Sequence, residues 1–290
     1  MLIEGGRLWL NGVSVRVLSR AVQTGDVVDV IPDVETLTAP GPLPAALEIV
    51  HEDGWLLAVN KPPGLASQPP RQRRPDELTA PEALAMQLAW RDGHRADLLL
   101  FHRLDRITSG LLVLARNHEA ARALTGTWRA GIVEKTYLAV VEGDPGPAPL
   151  AISRAIGRDQ LSPGRFRADR SGKPARTEAR RVAAAGGLAL VLARPLTGRS
   201  HQVRVHLAEL GFPVAGDRLY GTGRRMPRPF LHAWRLTLPH PRDGSKLRLE
   251  APLPADMQEF LAAHGLSLGT EDRKSGTGDR ELGTAAKPSA

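Results

Sequence analysis

The sequence predicts an α+β fold, built on a mixed, largely antiparallel sheet with flanking helices. Three observations carry that expectation. Short β-like runs outnumber helical patterns along the 290 residues. Neighbouring runs are joined by turns such as His51-Glu52-Asp53-Gly54 and Gly186-Gly187, the connection that antiparallel strands use. Helical patterns occur only at intervals, which is not the regular alternation of a doubly wound sheet.

Composition sets the outer limits. Hydrophobic residues make up 42% of the chain, enough to form the core of one large domain or two modest ones. There is no cysteine, which excludes disulfides, thiol catalysis and zinc-thiolate sites and fits a reducing compartment, the cytoplasm. No basic segment followed by an apolar stretch opens the chain, and no apolar run is long enough to span a bilayer, so no export signal and no membrane partner are expected. The net charge of +8 points to a polyanion, nucleic acid first. Only six of the 39 basic residues are lysine, however, and an arginine skew beside abundant Ala, Gly and Pro is also a mark of GC-rich coding. Charge alone therefore counts for little.

In chain order, Leu8, Leu10 and Val13, then Val27, Val28, Val30 and Ile31, are β-like runs with turns at Asn11-Gly12 and Gly25-Asp26. Gly6 to Gly12 followed by Gly25-Asp26-Val27-Val28 resembles the second half of an S4 RNA-binding domain, without the first S4 helix. The expected organisation is an S4-like segment over 1–37, a Pro-rich linker over 38–47, a main domain over 48–265 and a disordered tail over 266–290. Ile49-Val50 and Trp55 to Val59 read as paired strands, and Asn60 to Leu65 as a rigid loop. Residues 69–76 read as a mobile basic loop. Pro81 to Trp90 has a helical pattern with Pro in the first turn.

Apolar runs at 98–101 and 111–115 then flank His102-Arg103-Leu104-Asp105-Arg106. The one acid between them is costly to bury unless it is paired or faces a cleft. Taken alone, Asp105 reads as a turn residue paired with a neighbouring arginine, and Thr108-Ser109-Gly110 as the turn into the next strand. Asn117 caps a helix from His118 to about Trp128, ended by Gly131. In the strand from Val133 to Glu142, residues Val133, Lys135, Tyr137, Ala139 and Val141 share one face. Arg154 to Lys173 reads as a basic, turn-rich crossing of the surface. Arg176 to Val182 and Leu188 to Arg194 are strands. Ser200 is expected to cap a helix to Leu210, with Val203, Leu207 and Leu210 on its core side and His201 and Arg204 together on another. Strands follow at 231–238 and 247–249.

The familiar chemical motifs are missing. His201 and His206 have the wrong spacing for a zincin. There is neither a phosphate-binding Gly-Lys-Ser/Thr loop nor a dinucleotide Gly-x-Gly-x-x-Gly turn, and no Gly-x-Ser-x-Gly elbow. What remains is a carboxylate, arginines and a tyrosine.

The arrangement of these residues resembles a known family. His102-Arg103-Leu104-Asp105-Arg106-x-Thr108-Ser109-Gly110-Leu111-Leu112 is similar to the signature of the RluA-type pseudouridine synthases. Asn60-Lys61-Pro62-x-Gly64-Leu65, Lys135 to Gly143, Ile156-Gly157-Arg158-Asp159 and Gly172-Lys173-Pro174-Ala175-x-Thr177 continue the likeness. So do Thr197 to Leu207, Gly216-Asp217-x-Leu219-Tyr220-Gly221 and Leu231-His232-Ala233, all in the family's order over roughly 48–262. Ile107 and Gln68 depart from the family's habit at positions that carry no chemistry.

The resemblance implies a pseudouridine-synthase-like sheet with a central active-site cleft, and an isomerase acting on uridines of structured ribosomal or transfer RNA. The N1–C1′ bond breaks and uracil rejoins through C5, so no cofactor and no metal are required. It implies Asp105 as the carboxylate that meets charge at C1′, Arg204 as its ion-pair partner, and Tyr137 as a ring under the uracil and a candidate for the final proton removal. Arg103, Arg199, Lys173, Lys61 and the loop residues Arg71, Arg73 and Arg74 are the expected RNA contacts. A monomer is expected. A binding protein that kept the fold, and a glycosylase releasing free uracil, are the competing readings.

Overall fold

The computed structural model describes residues 8–10, 13–14, 21–30, 46–69, 77–94, 96–162, 164–222, 226–269 and 272. Compactness divides the chain into two units, Met1–Ala45 and Ala46–Ala290. The first holds three short antiparallel strands, β1 (Leu8–Leu10), β2 (Val13–Ser14) and β3 (Val28–Val30), in the order β2-β1-β3. Most of the expected linker, the basic loop with Arg71, Arg73 and Arg74, and nearly all of the expected tail lie outside the described residues.

Among the described residues the second unit holds a ten-stranded sheet, a separate two-stranded hairpin and four helices. In chain order it runs β4 (Glu48–Glu52), β5 (Leu56–Lys61), α1 (Ala80–Asp92), β6 (Leu99–Leu100), β7 (Ser109–Ala115), α2 (His118–Arg129), β8 (Glu134–Glu142) and β9 (Leu150–Ser153). The separate hairpin, β10 (Ile156–Arg158) and β11 (Phe166–Ala168), comes next. The chain then continues through β12 (Arg176–Ala185), β13 (Leu188–Pro195), α3 (Gln202–Glu209), β14 (Leu231–Pro239), β15 (Lys246–Glu250) and α4 (Ala255–Ala263). The strand order is β4-β5-β7-β14-β8-β13-β12-β9, with β15 on β14 and β6 on β7. Every pairing is antiparallel except β7 with β14, so the sheet is mixed and largely antiparallel as expected.

The period of two in the strands decides where the helices dock. Leu56, Ala58, Leu111 and Val113 pack with Ala120 and Leu124 of α2, while Leu57, Val59, Leu112 and Leu114 pack with Leu84 and Leu88 of α1. On β8, Ala139 and Val141 meet α3, and Leu138 and Val140 meet α4. Val133 joins the α2 cluster, so α2 and α3 lie on the same face of the sheet. Lys135 and Tyr137, between Val133 and Ala139, therefore form the floor of the gap between those two helices. Each buried Leu contributes roughly 1.5–3 kcal/mol, so this floor rests on a rigid sheet.

The elements differ from expectation in several places. Residues 154–173 contain the β10–β11 hairpin, seated through Ile156 and Phe166 against Val205 and Tyr220. Helix α4 was not expected; it buries only Met257 and Leu261, too few positions for a visible period. The ordered region extends beyond the boundary set at 265, because Leu266 is 3% exposed in the α4 cluster and Arg180 pairs with Asp272. Finally, Ser109 and Gly110 begin β7 rather than forming a turn. At Gly110, with φ +112°, a Cβ would stand 2.2 Å from the Ala233 carbonyl oxygen, so only glycine lets β7 approach β14 there.

Candidate active site

Asp105 sits in the segment between β6 and β7, and its loop is laced to the one that follows β5. Ser67 donates to the Leu104 carbonyl at 3.0 Å and accepts from the Leu104 amide at 3.1 Å. Gly64 N–H donates to Arg106 O at 2.8 Å, and Arg106 Nε donates back to Gly64 O at 2.8 Å. Beneath both, Lys61 Nζ donates to the carbonyls of Pro62 (2.9 Å), Leu65 (2.9 Å) and Arg106 (3.2 Å). Lys61 is 0% exposed, and burial lowers its pKa to about 7. This overturns its assignment as an RNA contact: the strand runs on to Lys61, which points inward with Leu57 and Val59 and ties the Asp105 loop to β5.

Arg204, 2% exposed, comes from α3. Its Nε and Nη2 hold Asp217 at 2.6 and 2.9 Å, and its Nη1 reaches Asp105 Oδ2 at 3.3 Å. The guanidinium lies 5.0 Å from the centre of the Tyr220 ring. Asp217 also accepts the backbone N–H groups of Leu219 (3.0 Å) and Tyr220 (3.3 Å). A buried, bidentate arginine with a second carboxylate in reach is a fixed donor that keeps Asp105 aimed.

The helix that delivers Arg204 starts irregularly. Its N-cap is His201, not Ser200, with φ +54° and no side-chain cap bond. The first turn is held instead by Gln202, whose amide oxygen accepts from Thr197 Oγ1 (2.7 Å) and Arg199 N (3.0 Å) and whose amide nitrogen donates to Thr177 Oγ1 (3.0 Å). Buried residues run without interruption from Gln202 to Leu207, and Leu210, expected in the core, is 36% exposed beyond the helix end. His201 and Arg204 do come together, with His201 Nε2 3.9 Å from Asp105 Oδ2.

Asp105, His201, Gln202 and Arg204 line a cleft of about 310 Å³, in which Asp105 is the one carboxylate among the described lining residues. Tyr137 forms its floor. Burial, then the charge of Asp105, pushes the phenol above its ordinary pKa, so it keeps its proton. Among the described residues the hydroxyl has no hydrogen-bond partner, which leaves it to donate into the cleft. Arg103 is exposed at the rim, 3.5 Å from Ser200 Oγ. Arg199 lines the cleft with its Nε on Pro174 O at 3.0 Å, and Lys173 is exposed but does not line the cleft.

Three groups that sequence reading passed over belong here. Asp217 was quoted in a motif but given no part. Lys135 lines the cleft, desolvated enough to lower its pKa, with no carboxylate partner among the described residues. Trp128 closes the α2 end, stacked 4.3 Å from His102, while Lys135 Nζ lies 6.0 Å from its ring centre. Lys135 could have been found from its place on the Tyr137 face of β8. Trp128 carried no comparable signal, since its position depends on the long-range docking of α2.

Comparison with known proteins agrees with this geometry. The RNA pseudouridylate synthase family profile matches residues 55–209. An uncharacterized RNA pseudouridine synthase of Chloroflexus aurantiacus is 40% identical over 273 residues, 90% of this chain and 82% of that protein. The ribosomal large subunit pseudouridine synthase D of Xylella fastidiosa is 36% identical, covering 90% of this chain and 82% of its own. The dual-specificity RNA pseudouridine synthase RluA of Escherichia coli K12 is 39% identical, covering 71% and 93%. Human RNA pseudouridylate synthase domain containing 4 superposes with a TM-score of 0.62 at 26% identity, over 74% of this chain and 92% of that one. With this sheet, this cleft and these relatives, the chain belongs to the RNA pseudouridine synthase family and is an enzyme that isomerises uridine in RNA to pseudouridine.

Proposed function

We propose that Asp105 is the carboxylate that serves C1′ of a uridine in ribosomal or transfer RNA. The single observation that carries this reading is that the cleft's one carboxylate lies 3.3 Å from a buried arginine already neutralised by Asp217. As the N1–C1′ bond breaks, positive charge grows at C1′ and a fixed anion beside it lowers the barrier. Arg204 holds that anion in place. Tyr137 offers its ring to the uracil and its O–H to a uracil oxygen. Uracil then turns and bonds through C5; the C5 proton leaves and N1 gains one, so atoms and electrons balance without redox or hydrolysis.

A uridine must leave its stack to enter a cleft of this size. Arg103 at the rim is suited to the vacated space or to a phosphate, and Arg199 and Lys173 to the RNA backbone. We read the first unit as an S4-like module that adds RNA contacts. Action in the cytoplasm and as a monomer fits a substrate of this kind and a cleft built from one chain. Purified protein should be incubated with ribosomal and transfer RNA lacking modifications and the pseudouridines mapped. New pseudouridine at discrete positions is expected; conversion confined to other RNA classes, or release of free uracil, would refute the reading.

A further inference from the structure

We propose that His201 is the base that takes the C5 proton in the last step of the isomerisation. The proposal rests on the reading of Asp105 as the carboxylate at C1′. Once C5 has bonded to C1′, it carries both the sugar and its hydrogen, and the ring holds an N1=C6 double bond. Transfer of the C5 proton to the imidazole returns the C–H electron pair to form C5=C6. The N1=C6 pair moves to N1, which takes a proton from water.

At that step C5 is one bond from C1′. A group beside Asp105 is therefore within reach of the proton, and His201 Nε2 stands 3.9 Å from Asp105 Oδ2. That separation is too long for a hydrogen bond, so Asp105 is only an ion-pair neighbour of Nε2, and His201 lines the cleft. The other ring nitrogen is engaged: Nδ1 and the Tyr220 hydroxyl are 2.9 Å apart, and the same oxygen accepts Phe166 N–H at 2.9 Å. In the tautomer that serves this step, Nδ1–H donates to the Tyr220 oxygen and Nε2 carries the lone pair, the arrangement in which a third group orients a base. Phe166 packs edge-on against the imidazole with centroids 5.1 Å apart, so the ring is held on both sides.

The backbone supports the same assignment. His201 is the one non-glycine residue with positive φ among the described residues. Such strain tends to persist where a side chain must be aimed. The charges facing the ring are Asp105, Arg204, Asp217 and Arg103. Burial keeps the imidazole neutral, while Asp105 stands ready to stabilise the imidazolium that forms. Tyr137 is poorly suited to this step, since its phenol holds its own proton.

The test uses RNA carrying either protium or deuterium at C5 of the target uridine. His201→Asn suits it because Asn tolerates positive φ and cannot take up the proton. Its single-turnover rate should fall by about 10²–10⁴-fold with RNA binding retained. The protium-to-deuterium rate ratio should rise above that of the wild type, because C–H cleavage becomes the slow step. Tyr220→Phe, which keeps the imidazole but removes its orienting partner, should show a smaller loss and the same rise, and it tests the proposal should the Asn chain not fold. A slowed variant with the wild-type ratio, or one with the wild-type rate, would overturn the assignment. Asp105→Asn on the same RNA separates the two readings: if it turns over normally, the reading of Asp105 fails, whereas an inert Asp105→Asn with an unaltered isotope ratio in the His201 variant refutes His201 alone.

Discussion

Helices α2 and α3 flank the same cleft but are built by different rules. In α2 the cap is regular: the Asn117 side chain accepts from Ala120 N at 2.8 Å, only Ala120 and Leu124 are buried, and the helix ends at a glycine with φ +72°. In α3 the cap is a strained histidine whose side chain makes no capping bond, and six residues in a row are buried, an arginine and a histidine among them. Local stability shaped α2. The start of α3 brings Arg204 and His201 beside Asp105, and it is held by tertiary bonds made by Gln202, His206 and Asp217. Local rules are expected to fail where a segment serves a site.

The largest effect should come from breaking the α3 side. Asp217→Ala strips the buried Arg204 of its bidentate partner, and removing one member of such a pair costs about 3–5 kcal/mol. For a unit of this size that is a fall in Tm on the order of 10 °C, with single-turnover rate lost as Arg204 swings. A thermal melt checks it; a Tm unchanged from the wild type would mean that the Asp217 pair contributes nothing to α3.

The α2 side should instead respond to acid. His102 stacks on Trp128, and its Nε2 accepts from Val113 N at 2.9 Å, a role only the neutral ring can fill. Burial, reinforced by Lys135, lowers its pKa to about 3 from an ordinary 6.5. The folded value lies below the unfolded one, so this contribution is fully present above about pH 6.5 and is lost as pH falls toward 3. Melting curves across that range should show a steeper acid loss for the wild type than for His102→Gln. Buried His232, lowered to about 4, adds a loss in the same direction to both chains.

The smallest effect should be that of the α2 cap. Asn117→Ala should cost about 1 kcal/mol, read as a small drop in denaturation midpoint, with single-turnover rate per folded molecule unchanged. A loss of rate would show that α2, like α3, is committed to the site.

The same contrast governs what the sequence revealed. Where local chemistry decides, it was legible: the bounds of α2, the shared face of β8 and the β12–β13 hairpin are as their patterns indicate. Asp105 with Arg204 was legible only through motif resemblance, since the two are 99 residues apart and no spacing rule links them. Lys61 was misread because a lysine after an apolar strand suggests solvent, although the alternation Leu57, Val59, Lys61 already placed it inside. Ser200 was chosen as the α3 cap because serine is the better capper. His201 took that place because the turn is held from Thr197 and Thr177 by the Gln202 side chain, contacts that depend on the assembled sheet.

The central claim is that Asp105 performs the chemistry while the basic residues around the cleft hold the RNA. Tritium release from RNA labelled at C5 of uridine, compared between wild type and Asp105→Asn under single turnover, tests it most directly. The expected result is release by the wild type, none by the variant, and RNA affinity within a few-fold for both. Near-normal release by the Asn variant would contradict it.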